Sequence, residues 1–160
     1  MVGGLDTLFQ TLTLRGKTLK NRIVSTGHMA VMLDDGKPTA RMVAYHEAKA
    51  QGGAALTIIE AARVHPSGDS GRPAIRAYDP ACVLGYARLA EACHPHGCLI
   101  FAQLTHPGRE MAMAADGTHP VAYAPSAVPN ERFHVMPREM PLLLINEIIQ
   151  GFEASAAHMC

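Results

Sequence analysis

The sequence has no excess of charge of either sign: 14 lysines and arginines stand against 14 aspartates and glutamates. Nucleic acid and acidic membranes select a basic excess, so neither is implied as a partner. No apolar run reaches the ~20 residues needed to cross a bilayer, and the opening MVGGLDTLFQ lacks the basic-then-apolar order of a secretory leader. The expected location is cytoplasmic. Cys82, Cys93, Cys98 and Cys160 are scattered without a CxxC pair, which points to reduced, buried thiols and away from a disulfide framework or a zinc site. His94-Pro95-His96 sits at a helix end with no further ligands in view, so no metal is expected.

What is present is a chain of 160 residues, 48% of them apolar, enough to build a substantial core. LTLRGKTLKNRIVST alternates apolar and polar residues around Arg15-Gly16-Lys17, which predicts a hairpin and then a strand over Arg22 to Ser25. Gly27 to Pro38 reads as a loop. From Thr39, a cap, the spacing of Met42, Tyr45, His46 and Lys49 predicts a helix that ends at Gly52-Gly53. AALTIIEAA is then a continuous apolar run of strand length, as in a parallel strand covered on both faces.

The same order repeats. VHPSGDSGRPAIRAY is a loop, and a second helix runs from the cap Asp79, with Pro80 at its first position, to His94 and is closed by Gly97. CLIFAQL is a third buried strand, followed by a long polar loop from Thr105 to about Glu139. A third helix begins near Pro141 and still runs at Cys160. Strand, long loop, helix and short glycine turn in strict alternation specify a parallel α/β arrangement. Long loops after strands mark the active face of a β/α barrel. An open doubly wound sheet gives the same alternation, but no GxGxxG follows the first strand to support a dinucleotide-binding version.

On such a scaffold the polar strand ends share one mouth: Ser25, Thr26 and His28, then Glu60, then Gln103 with His106 just beyond. The Gln103 amide offers donors and an acceptor, so it can meet a heterocycle edge of mixed character without adding charge. Small residues at Gly27, Ala61 and Ala62 let a flat ring approach the backbone. Local hydrogen bonding within loops is the competing reading for Gln103, and more so for His28 and His106. Met29, Met32 and Met42 read as packing residues.

These segments resemble the flavin-dependent Old Yellow Enzyme and 2,4-dienoyl-CoA reductase group, including the amine dehydrogenases and demethylases related to trimethylamine dehydrogenase. The resemblance rests on LFQTLTLRGKTLKNRIVSTGH, GGAALTIIEAARVHPSG, FAQLTHPGRE, and APSAVP followed by EMPLLLINEIIQGF, and it covers essentially the whole chain. It implies an FMN-binding TIM (β/α)8 barrel with the flavin across the strand ends. Thr26, Gly27, His28 and Met29 match the first-strand loop along the isoalloxazine, Ala61 matches a small residue against the ring, and Gln103 matches the amide on its pyrimidine edge. Covalent relatives have Cys at the position of Met29, so no covalent link is implied here. His28 is similar to the histidine of the amine-oxidising branch.

A complete barrel needs about 250 residues, so residues 1–160 are expected to be the N-terminal part of such a domain: an N-terminal hairpin and about three βα units. The family's paired His/His or His/Asn substrate anchors, its proton-donating Tyr and its phosphate-gripping loops are expected beyond Cys160. The implied activity is FMN-dependent oxidoreduction on a small-molecule substrate, with NAD(P)H as reductant and hydride passing through flavin N5. Oxidative demethylation of an N-methylated amine and an inactive fragment remain open, as does a homo-oligomeric state.

Overall fold

The computed structural model describes residues 5–159. Cys160 and the first four residues of the opening decapeptide, on which two of the sequence expectations fall, lie outside them. After a 3-10 turn over Asp6–Phe9 comes the expected hairpin: β1 (Leu12–Leu14) and β2 (Lys17–Leu19) pair antiparallel. Arg15 and Gly16 turn it with φ of 45° and 81°, the left-handed pair whose twist matches that of the strands. The strand expected over Arg22 to Ser25 is shorter, β3 (Val24–Ser25). The segment read as a loop holds a second hairpin, β4 (Leu33–Asp34) and β5 (Lys37–Pro38), turned by Asp35 and Gly36 at φ 44° and 72°.

Helix α1 (Ala40–Gln51) starts where the sequence places it, with the Thr39 side chain accepting the Met42 amide. It leads into β6 (Leu56–Arg63). In the following loop β7 (Ile75–Arg76) pairs with the end of β6. Asp79 caps a 3-10 turn over Pro80–Cys82 that runs into α2 (Val83–Cys93). His94–His96 form another 3-10 turn, and Gly97 at φ 65° leads to β8 (Leu99–Thr105). The long loop after β8 is not structureless: β9 (Tyr123–Ala124) and β10 (Arg138–Glu139) pair in parallel within it. Finally, α3 (Leu142–His158) has Met159 as its C-cap; the expectation that the helix still runs at Cys160 falls on a residue outside the described ones.

The central sheet is parallel. β3 and β7 lie along one edge of β6, β8 lies along the other, and among the described residues the sheet is open. One face packs on α1 and α2: Met42, Ile59, Ala62, Ile75, Tyr86 and Leu89 form its core, with Ile100, Ala102 and Leu104 of β8 against them. Each fully buried Leu, Ile or Met contributes about 2 kcal/mol. Met42 is therefore packing, as expected.

Alternation along a strand sends the neighbours of those β8 residues, Phe101 and Gln103, to the opposite face, and both are exposed. This corrects the expectation that CLIFAQL is a buried strand; β6 alone is close to continuously buried. Cys82, Cys93 and Cys98 are free and buried. His94 and His96 gather no metal set, since no cluster of three ligating side chains exists among the described residues.

Candidate functional site

Register between β6 and β8 runs evenly from Leu56 to Ile58, slips, and resumes with Ala61 opposite Gln103. The slip is a β-bulge at the carboxyl end of β6, the usual device for re-aiming side chains beside a site. It leaves Ala61 half-buried on the open face next to Gln103, and turns Glu60 inward to 1% exposure. Glu60 Oε2 accepts the amides of Ala30 (2.6 Å) and Val31 (3.0 Å). Val31 holds φ of 52°, a conformation that costs a β-branched residue of order 1–3 kcal/mol. The carboxylate therefore fixes the far end of the loop that carries Gly27, His28 and Met29.

The near end of that loop meets β8. A Cβ on Gly27 would stand 2.6 Å from Gln103 Oε1 and 3.4 Å from the Ile59 carbonyl. Only glycine leaves that volume to the amide. Thr26 is exposed, and its carbonyl accepts from His28 Nδ1 at 3.4 Å. That assignment leaves His28 Nε2 to accept the Tyr45 hydroxyl at 2.6 Å. His28 is thus tied to α1, while Gly27, Met29, Ala61 and Gln103 come together at the strand ends. Met29 is 44% exposed there, which corrects its reading as a packing residue. Ser25 receives a hydrogen bond from Lys49 Nζ (3.0 Å), whose ammonium lies 4.2 Å from the Tyr45 ring centre.

His106 has the structural role that its residue type suggested. Its Nδ1 accepts the Gly108 amide (3.1 Å), and its Nε2 donates to Ser67 Oγ (3.0 Å), whose hydroxyl donates to His65 Nδ1 (2.8 Å). The two His-Pro loops after β6 and β8 are thereby clasped. Burial holds the His106 pKa below the usual histidine value, with the neighbouring His65 and Arg63 adding to the effect.

Beside Ala61 and Met29 a cleft of about 370 Å³ is lined by Arg63, Arg72, Arg132 and Phe133. None of these four was singled out in the sequence. The signal for Arg63 was its place two residues after Ala61, on the same face of the strand. Arg132 and Phe133 are positioned by Asn130, whose Oδ1 accepts both their amides at 2.8 Å.

Parallel strands alternating with helices, with a cluster of mixed polarity at their carboxyl ends, define part of a β/α barrel and its strand-end face. The chain belongs to the NADH:flavin oxidoreductase / NADH oxidase family, whose sequence model matches residues 7–160. It is 37% identical over 153 residues to an NADH oxidase of Thermoanaerobacter brockii, covering 93% of this chain and 23% of that protein. It is 34% identical over 156 residues to an NADPH dehydrogenase of Bacillus velezensis, covering 94% of this chain and 44% of that protein. The structure of an Old Yellow Enzyme homologue from Zymomonas mobilis superposes with a TM-score of 0.80 at 27% identity, over 95% of this chain and 44% of that one. The chain thus spans between about a quarter and under a half of the length of these relatives.

The residues at the mouth fit a flavin. A half-buried alanine and a glycine leave room for a flat ring, and the Gln103 amide, exposed and without a hydrogen-bond partner among the described residues, can face an edge of mixed donors and acceptors.

Proposed function

We propose that residues 1–160 supply the hairpin and first three βα units of an FMN-binding barrel that reduces a small molecule at the expense of NAD(P)H. FMN, when bound, supplies hydride transfer through its N5 atom. Ala61 and Gly27 let the ring lie close to the strand ends, and the Thr26–Met29 loop runs along it. Gln103 holds the pyrimidine edge and, through its N–H donors, favours negative charge there. His28 acts through the loop, by its bond to Tyr45. The substrate anchors and the phosphate grip come from other parts of the barrel, and the setting is cytoplasmic; among the described residues no helix is long and apolar enough to cross a membrane.

The observation that carries this reading is the Gln103 amide, seated over Gly27 and beside Ala61 on the open face of the sheet, in a flavin-dependent family. Anaerobic mixing of the purified holoprotein with NADH or NADPH tests it. Bleaching of the flavin band by either nucleotide, and its return on adding an activated alkene, is expected. Bleaching by an N-methylated amine alone would assign the demethylase activity instead.

A further inference from the structure

Arg63 is a buried cation without a counter-ion. It is 9% exposed, its Nε is sealed from solvent with no hydrogen-bond partner, and no salt bridge reaches it among the described residues. Asp69, the acid whose charge acts on it, is already committed to the Tyr78 hydroxyl (2.6 Å) and to Arg76 Nε (3.5 Å). Leaving a sealed N–H of a cation unpaired is costly, and a fold retains such a group where something outside the described residues satisfies it.

The side chain lines the cleft beside Ala61, and the same lining adds two more guanidiniums, Arg72 and Arg132. Arg132 and Arg72, both exposed, lie 5.0 Å and 5.7 Å from the centre of the Phe133 ring in the same lining. Against three arginines the lining offers one carboxylate, Glu110, and that accepts a hydrogen bond from Asn130 Nδ2. The cleft is therefore electropositive, has an orphaned donor within it, and has a volume of about 370 Å³, suited to a small organic molecule.

We propose that Arg63 receives the oxyanion of the substrate, a carboxylate or phosphate group, with Arg72 and Arg132 drawing it in from their exposed positions. Two N–H donors on one edge of a guanidinium match two oxygens of such a group. Since Arg63 and Ala61 are alternate residues on one strand face, the anion lies beside the ring position of the flavin reading, on which this proposal rests. The oxyanion orients the remainder of the molecule over the reacting face.

Calorimetric titration of the purified holoprotein with benzoate, phenyl phosphate and benzamide tests the proposal, with the visible flavin spectrum recorded on the same samples. At least one of the two anions is expected to bind about tenfold or more tightly than neutral benzamide, the discrimination of one charge-assisted hydrogen bond; which anion it is identifies the group. Arg63→Met should abolish that preference and Arg63→Lys should keep part of it. Arg72→Met and Arg132→Met, at exposed positions, should each weaken the anion several-fold. Because Arg63→Met removes an uncompensated buried charge, its thermal midpoint should equal or exceed that of the wild type. Equal binding of anions and benzamide, undiminished preference in Arg63→Met, or a lowered midpoint in that variant would each overturn the proposal, the last by revealing a partner inside the protein. Absence of a flavin band would sink the flavin reading while calorimetry still decides the anion seat.

Discussion

Gly27 leaves vacant the volume that the Gln103 amide occupies: a Cβ on Gly27 would stand 2.6 Å from Gln103 Oε1. The loop after β3 and the end of β8 are fitted to each other at that point. Gly27→Ala should therefore push the flexible amide aside. Fold stability should change by less than about 1 kcal/mol, because the tip of a glutamine yields easily, while FMN affinity falls about tenfold with the displaced hydrogen bond. Urea midpoints and a flavin fluorescence titration measure the two effects; unchanged affinity would detach the orientation of Gln103 from Gly27.

Glu60 joins its strand to the Ala30 and Val31 amides. Glu60→Ala leaves both donors without that acceptor, a loss that relief of the Val31 strain offsets only in part, so a net loss of about 2–4 kcal/mol is expected. Glu60→Gln keeps a carbonyl oxygen as acceptor and should cost less than half of that. Chemical denaturation decides: a loss below about 1 kcal/mol for the alanine variant would show that water replaces the carboxylate.

Stability should fall on the acid side through His46. This side chain is 2% exposed and its Nδ1 lies 3.0 Å from Thr57 Oγ1. Burial first, then the charges of Lys49 and His28, pull its pKa down to about 4 from 6.5. The folded value lies below the unfolded one, so the unfolded chain binds more protons between the two. Stability is therefore full above the unfolded pKa and drains away as the pH falls from 6.5 toward 4. The total reaches about 3 kcal/mol, and His106 shifts in the same direction. Urea midpoints for wild type and His46→Gln at about pH 7.5 and about pH 5 test this: the wild-type loss should shrink in the variant, and equal losses would remove His46 as the cause.

At Met29, exposed in the cleft, a thioether stands at the position where the resemblance implies a thiol in flavoproteins with a covalent link. It has no proton to lose and so forms no thiolate to bond the ring. Acid- or heat-denatured holoprotein should release all its flavin as free FMN. Mass spectrometry that finds flavin on the polypeptide would refute this.

The alternating units were legible in the sequence because their signals are local. Thr39 and Asp79 cap where a cap was expected, Gly97 takes the left-handed turn, and β6 is close to continuously buried, as the run AALTIIEAA implied. Other elements carry no such signal. β7, β9 and β10 are two residues long, too short for any periodicity to be read. The open face of β8 depends on what stands opposite Phe101, which no property of CLIFAQL encodes. At the mouth, Gly27 and Gln103 could be named from residue type and resemblance, but their interlock comes from the register of β6, with its bulge, against β8. Arg63 carries no distinctive mark in the sequence because a charge at a strand end is ordinary; its lack of a partner is a three-dimensional fact.

The central claim, that Gln103 holds the flavin edge, is tested most directly by titrating FMN into the deflavinated full-length protein, wild type and Gln103→Ala, and measuring the reduction potential of each complex. Loss of a hydrogen bond to a partly charged ring is worth about 1.5–3 kcal/mol, so the variant should bind FMN roughly 10- to 150-fold more weakly or hold it at a shifted potential. The same dissociation constant and the same potential in both proteins would contradict the account.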